Sequence, residues 1–247
     1  MSRVADVKTR ISSVELLATL KKSYSYRELS AVLGLSAPIL SRYVRGHVLP
    51  SPSRSEKFIA TFREKLLSKM IMDGVRVSQD GSYDISSVVS NIGLLRQIAK
   101  VVYSEFSLVG VDKVVTMEVD GVPLATEVAG EFNVSLAVVR GERDLGVEEF
   151  IEQRTVYGPS SIKYLYLQKT SVKKGEHVLI VDDMVRSGTT IEALTRMATD
   201  KAKAKVVGVF AIASVDQSMA RLKSRLGLTC PIESVVTLEP KQRRYNY

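Results

Sequence analysis

The chain has 247 residues, 45% hydrophobic and 25% charged, with one cysteine and two histidines; this suits one or two globular domains and excludes a disulfide framework or a cysteine-based zinc site. Its longest apolar runs, near 206–215, are too short to cross a bilayer and no signal-peptide core opens the sequence, so a reducing, cytoplasmic compartment is expected. The net charge of +8 is uneven: residues 1–72 hold 13 Lys and Arg against 5 Asp and Glu, whereas residues 73–247 hold 22 of each sign.

A positive field confined to one segment suits a polyanion-binding module, and a solvated basic face without a partner is the bland alternative. The same segment reads as all-helical. In "VKTRISSVELLATLKK", Val7, Ile11, Val14, Leu17 and Leu20 recur at helical spacing. From Tyr26 to Pro50, Leu29, Val32 and Leu33 give a short helix its inward face, Gly34 supplies a tight left-handed turn, and Leu35 plugs the corner. Ser36 then stands at the N-cap of a second short helix, Pro38 is tolerated in its first turn, and Gly46 closes it. On that helix Ile39, Leu40, Tyr43 and Val44 share one side, while Ala37, Pro38, Ser41, Arg42 and Arg45 occupy the opposite arc. Small residues permit close approach to base edges, and arginines reach guanine edges or phosphates. The arrangement resembles the helix-turn-helix of Cro-like DNA-binding domains. By that resemblance Ser36, Ala37, Pro38, Ser41, Arg42 and Arg45 contact a double-stranded DNA operator. A further amphipathic helix, "SEKFIATFREKLLSKMI", follows a Pro- and Ser-rich entry.

Residues 73–85, "DGVRVSQDGSYDI", alternate around an Asp80-Gly81 turn and read as a linker or a short hairpin. From Ser86 the texture changes to strands alternating with helices. A helix, "SSVVSNIGLLRQIAKVVYSEF", precedes "KVVTMEV"; "VSLAVVR", "IKYLYLQ", "HVLIVDD" and "KVVGVFAIASV" are the later strands. Near-continuous apolar strands argue for a parallel sheet covered on both faces, and such sheets bind ligands beyond the carboxyl ends of their strands. The expected organisation is therefore a helical unit over 1–72, the 73–85 segment, and an α/β unit over 86–247.

The densest motif is "VLIVDDMVRSGTT", Val178–Thr190. Four apolar residues run into Asp182 and Asp183, and a Ser-Gly-Thr-Thr turn opens a helix. Such a turn presents backbone N–H groups and hydroxyls to an anion. Adjacent carboxylates would repel a phosphate but suit hydroxyl donors such as a ribose diol, and a ribose 5-phosphate satisfies both halves. Neither G-x-x-x-x-G-K-[ST] nor G-x-G-x-x-G occurs.

The run closely resembles the signature of type I phosphoribosyltransferases, which bind phosphoribosyl pyrophosphate (PRPP). The resemblance covers about Ser86–Leu238 and implies a type I phosphoribosyltransferase-like parallel sheet with flanking helices, preceded by the all-α helix-turn-helix domain. It implies that Asp182 and Asp183 hold the ribose hydroxyls and that Arg186, Ser187, Gly188, Thr189 and Thr190 cradle the 5′-phosphate. Glu118, Val119, Asp120 and Gly121 would approach the pyrophosphate, with Arg140 nearby. Residues 141–161 match the flexible loop that closes over the site, and "PIESVVTLE" resembles the C-terminal piece of the hood over the base. No protein metal site is implied; Mg2+ would arrive with PRPP.

Two features separate sensing from synthesis. Small residues or an aspartate are usual in the family at the place of Arg186, and Arg140 is followed by Gly141 where the family often has Arg-Lys. An arginine cannot serve as a general base at neutral pH, and no catalytic residue is assigned. The plan resembles transcription regulators of purine or pyrimidine genes that fuse a helix-turn-helix to a phosphoribosyltransferase domain. It implies a homodimeric, operator-binding regulator with PRPP or a nucleotide as effector. An active purine or orotate phosphoribosyltransferase is the alternative.

Overall fold

The computed structural model describes residues 3–157 and 161–240. The chain divides into two compact units, Met1–Asp73 and Gly74–Tyr247. The basic tail "KQRRYNY" and residues 158–160 of the closing-loop segment lie outside the described residues.

The first unit is helical: α1 (Arg3–Ser23), α2 (Tyr26–Leu33), α3 (Ala37–Val44), α4 (Pro52–Thr61), a π-helical turn over Phe62–Leu66, and α5 (Leu67–Gly74). Ser25 opens α2 with a reciprocal cap, its hydroxyl accepting from the Glu28 N–H while Glu28 Oε2 accepts from the Ser25 N–H at 2.7 Å. Gly34 ends α2 at φ +69°, a left-handed conformation that a side chain would disfavour. Ser36 stands at the N-cap of α3 without a side-chain capping bond, Pro38 lies in the first turn, and Gly46 follows the C-cap Arg45 at φ +73°.

The inward faces differ from the expectation at four positions. Val7, Ile11, Val32 and Ile39 are exposed; Leu16, Leu17, Leu20, Leu29, Leu33, Leu40 and Tyr43 are buried. The buried line of α1 runs Ser13, Leu16, Leu17, Leu20, and Ser13 is admitted because its hydroxyl bonds Ser55 Oγ on α4 at 3.0 Å. A polar residue with a buried partner thus displaces the apolar stripe that periodicity alone selects. Tyr43 packs edge-on against Phe58 and accepts from Arg54, which ties α3 to α4.

The second unit opens with an antiparallel hairpin, β1 (Arg76–Val77) and β2 (Tyr83–Asp84), turning at Gly81 with φ +81°. The expected helix after Ser86 is two helices, α6 (Ser86–Val89) and α7 (Ile92–Phe106), because the Asn91 side chain caps α7 by accepting from the Leu94 N–H at 3.1 Å. Then come β3 (Lys113–Met117), α8 (Gly121–Phe132), β4 (Ser135–Val139), β5 (Phe150–Tyr157), β6 (Ser161–Gln168) and β7 (His177–Val185). The last elements are α9 (Thr189–Arg196), β8 (Lys205–Val215), α10 (Ser218–Leu226) and β9 (Ile232–Leu238).

Five strands form one parallel sheet in the order β4-β3-β7-β8-β9. Strand β7 is central and buried almost throughout, as expected of a strand covered on both faces. Ile191, Leu194 and Leu222, from α9 and α10, join Val178 and Ile180 in one core cluster. Leu179 faces the Gly208 side, where Phe106 of α7 also packs.

Three expectations change here. "IKYLYLQ" is not in the parallel sheet: β6 pairs antiparallel with β5 in a separate two-stranded ribbon. Much of the supposed flexible loop is therefore strand β5. "PIESVVTLE" supplies the edge strand β9 of the main sheet, hydrogen-bonded to β8, rather than a hood piece. Finally, β7 does not end with the aspartate pair of "HVLIVDD" but runs on to Val185.

Gly208 marks the tightest packing between the sheet and α7. A Cβ there would lie 2.3 Å from Phe106 Cε1 and 2.9 Å from Leu179 Cδ1. Gly208→Ala is expected to destabilise the second unit by about 1–3 kcal/mol, read as an earlier denaturant midpoint. An unchanged midpoint would contradict this packing.

Candidate functional site

The carboxyl ends of β3 and β7 bring the predicted residues together. After β3 the chain turns through Glu118–Asp120 into α8, with a cis peptide between Glu118 and Val119. Gly121, the first residue of α8, is required by close approach: a Cβ would lie 2.4 Å from Thr116 Oγ1 and 2.9 Å from Asp182 Oδ1. Asp182 is therefore packed against the start of α8, 6% exposed, with Oδ1 accepting from the Asp183 N–H at 3.0 Å. Asp183 is only half-buried.

Burial, then the neighbouring Asp183 charge, pushes the Asp182 carboxyl well above the usual aspartate range. Burial also raises Asp183, while a hydrogen bond from Asp182 pulls it back and the Asp120 charge adds to the rise. Arg186 opposes both shifts by its positive charge. Both carboxyls are thus held above their ordinary range, the buried Asp182 more strongly than the half-buried Asp183.

The turn after β7 follows the expected design. Ser187 Oγ and Thr189 Oγ1 are 2.9 Å apart, and Gly188 adopts φ +81° as the N-cap of α9 with no side-chain capping bond. The Thr189 N–H, the first of α9, donates to Ser187 Oγ at 3.4 Å, so hydroxyls and N–H groups gather at the helix start, the kind of place where anions bind. Gly188 also lacks room: a Cβ would lie 3.2 Å from Leu222 Cδ1. Arg186 is exposed, and its Nη2 donates to the Tyr83 carbonyl oxygen at 3.0 Å.

Glu118, Arg140 and Thr190 line one open cleft of about 1020 Å³, together with Arg143, Tyr157 and Lys163. Glu118 spans its rim, Oε1 accepting from the Gly141 N–H at 2.8 Å, and Arg140 pairs with Asp144 at 3.2 Å. Arg186 instead lines a second, smaller cavity beside the hairpin.

Tyr157, Arg143, Lys163 and Tyr83 were not singled out from sequence. The Tyr157 hydroxyl lies 3.3 Å from Thr190 Oγ1, which brings the β5–β6 ribbon to the phosphate turn. Its place inside the 141–161 loop was the available signal; Tyr83 carried none. In the first unit, Ser36, Pro38, Arg42 and Arg45 are exposed and Ala37 and Ser41 half-buried, while Leu40 and Tyr43 of the same helix are buried.

Among the described residues, no group of three or more His, Cys, Asp or Glu side chains is arranged to hold a metal ion. No described helix is long and apolar enough to cross a membrane.

The family model "Phosphoribosyl transferase domain" matches residues 86–236. The chain is similar to a probable purine biosynthesis transcriptional regulator of Streptococcus pneumoniae, 33% identical over 153 residues, or 60% of this chain and 54% of that protein. It is 27% identical over 158 residues to the purine biosynthesis transcriptional repressor of Bacillus subtilis, covering 64% of this chain and 53% of that one. The chain thus spans about half the length of these two regulators. A hypoxanthine/guanine phosphoribosyltransferase of Methanotorris igneus is 30% identical over 154 residues, covering 62% of this chain and 80% of that protein. In fold, the chain resembles the adenine phosphoribosyltransferase of Thermoanaerobacter pseudethanolicus, with a TM-score of 0.60 and 20% identity over 69% of this chain and 99% of that one.

The raised Asp182 pKa sets a pH dependence. A native carboxyl that holds its proton more tightly than the unfolded chain contributes stability that is full below about pH 4, the ordinary aspartate range, and lost as pH rises through the raised value. Asp182→Asn removes this loss. Its melting temperature is expected to fall less than the parent's between about pH 4 and pH 7; parallel curves would contradict the buried, proton-holding Asp182.

Proposed function

Because the chain belongs to the phosphoribosyl transferase domain family, we propose that it is a DNA-binding transcription regulator whose second unit senses PRPP or a purine or pyrimidine nucleotide. The observation that carries the reading is the coexistence of two surfaces in one chain. One is the half-buried Asp183 beside the Ser187–Thr190 turn, read as a ribose-phosphate site; the other is a helix, α3, that exposes Arg42 and Arg45 opposite its buried Leu40 and Tyr43. The likeness to two purine biosynthesis regulators supports the same pairing.

In this reading α2 and α3 form a helix-turn-helix, with Gly34 making the turn. Ser36, Ala37, Pro38 and Ser41 lie close to base edges, and Arg42 and Arg45 bond guanine edges or phosphates. Two copies associate so that their recognition helices meet half-sites about 34 Å apart. At the effector site the 5′-phosphate sits on the α9 N-terminus and the Ser187–Thr190 hydroxyls. Asp183 accepts from the ribose diol with Asp182 behind it, and Glu118–Gly121 and Arg140 border the pyrophosphate. Among the described residues no three His, Cys, Asp or Glu side chains are grouped for a metal, so Mg2+ would enter as the counter-ion of the diphosphate, neutralising its charge. A ligand changes DNA affinity only through its differential affinity for the two states of the chain.

A second reading, an active phosphoribosyltransferase, is favoured by the same Ser187–Thr190 turn and by the likeness to the archaeal enzyme. Arg186 speaks against it, since an arginine in the phosphate turn supplies charge but no base. Incubation with PRPP and a panel of bases separates the readings: pyrophosphate release favours the enzyme, its absence the sensor.

Two outcomes are expected in operator titrations. Arg42→Ala and Arg45→Ala each weaken binding, and where the lost contact is a phosphate the slope of log affinity against log salt falls by about 1. Saturating effector shifts operator affinity by about 5- to 150-fold. Equal affinity with and without PRPP and nucleotides would overturn the sensor.

A further inference from the structure

The ribose-phosphate site leaves Arg186 without a task. It projects from the end of β7 into the smaller cavity, about 220 Å³, bordered by the hairpin turn Asp80–Tyr83, by Val215 at the end of β8, and by Pro240. The cavity thus lies at the carboxyl ends of two central parallel strands, where open α/β sheets receive ligands. It is one residue away from the Ser187–Thr190 turn, and its size admits one ring system rather than a whole nucleotide.

The chemistry of its walls is directional. Arg186 carries five N–H donors and no acceptor. One of them is spent on a carbonyl oxygen, that of Tyr83, at 3.0 Å. Tyr83 is itself fixed, its hydroxyl donating to the Glu239 carbonyl oxygen at 2.6 Å. The peptide oxygen of the hairpin thus occupies the position that a ring carbonyl of a ligand would take.

We propose that Arg186 and the Arg76–Asp84 hairpin form a base-reading subsite selective for nucleobases with a carbonyl edge. This rests on the reading of the neighbouring turn as a ribose-phosphate site. A 6-oxopurine presents a carbonyl oxygen and a ring nitrogen acceptor to the guanidinium fork, as guanine does to arginine in DNA. A 6-aminopurine turns N–H donors toward a donor-only side chain and leaves one of them unpaired, and such mismatches are where hydrogen-bonding sites discriminate most strongly. Arg186 is a specificity-determining residue in this assignment; the phosphate turn supplies the shared affinity.

Inosine and adenosine monophosphates differ only at the ring position concerned, and ribose 5-phosphate carries the common part. Calorimetric titration of all three into the full chain tests the subsite. The parent is expected to bind inosine monophosphate roughly 10- to 100-fold more tightly than adenosine monophosphate. Arg186→Ala abolishes that difference while changing ribose 5-phosphate affinity by less than about two-fold. Arg186→Lys, which keeps the charge without the planar fork, retains part of the preference. Arg186→Ala also loses the bond to the Tyr83 carbonyl oxygen, so a small drop in unliganded melting is expected and all affinities are compared well below that transition. Equal affinities of the two nucleotides for the parent overturn the subsite alone, as does a uniform loss across all three ligands in Arg186→Ala, which makes Arg186 a phosphate ligand. Failure of all three to bind the parent overturns the ribose-phosphate reading and the subsite with it.

Discussion

Two adjacent carboxylates inside the central strand of a parallel sheet are the constraint from which the second unit follows. A buried carboxylate must be protonated, paired or hydrogen-bonded. Here burial pushes Asp182 toward the first course, and Asp183 is only half-buried. The arrangement dictates Gly121, because any side chain there would strike Asp182 and Thr116. It thereby fixes how closely α8 begins beside β7, and hence where the Glu118–Asp120 turn stands. The carboxylates also set the chemistry of what can approach: hydroxyl donors suit the half-buried Asp183, and in the proposed reading a phosphate takes the Ser187–Thr190 turn at the start of α9.

Arg186 connects this centre to the beginning of the unit. Its charge offsets the crowding of negative charge at Asp182 and Asp183, and its donor reaches the hairpin. The hairpin in turn reaches the residue after β9 through Tyr83 and Glu239. Sequence-distant segments therefore converge on the rim of the site through three named groups. The segment that follows the helical unit in the chain thereby contacts the residue just before the Ser187–Thr190 turn. A ligand that competes for Arg186 alters a contact made by that segment, which gives a sensor a physical means of reporting occupancy.

Legibility in the sequence followed the strength of local constraint. The β7 run, the Ser-Gly-Thr turn and the opposed faces of α3 were readable because each depends on residues within a few positions of one another. Leu40 and Tyr43 inward with Arg42 and Arg45 outward is a direct consequence of helical period. Partner choice was harder. β6 alternates, with Leu165 and Leu167 buried and Ile162 and Tyr164 exposed, the mark of a half-covered antiparallel strand rather than of a buried parallel one. β9 was mistaken for a hood because a short strand does not declare which edge it joins. Ser13 joins the buried line of α1 with its hydroxyl met by the Arg10 carbonyl oxygen and by Ser55, 42 residues away, a partner that periodicity does not show. Tyr83 acts chiefly through its peptide oxygen and a long-range hydroxyl contact, neither of which leaves a pattern in the chain.

The central claim, that occupancy of the ribose-phosphate site and DNA binding are linked, has a reciprocal form. A coupling free energy acts equally in both directions, so an effector that alters operator affinity must itself bind with altered affinity once the operator is bound. The most direct measurement is the dissociation constant of PRPP for the full chain, free and saturated with operator DNA. The account predicts two constants differing by about 5- to 150-fold, the range of such couplings. Equal constants, with PRPP bound in both cases, would contradict it.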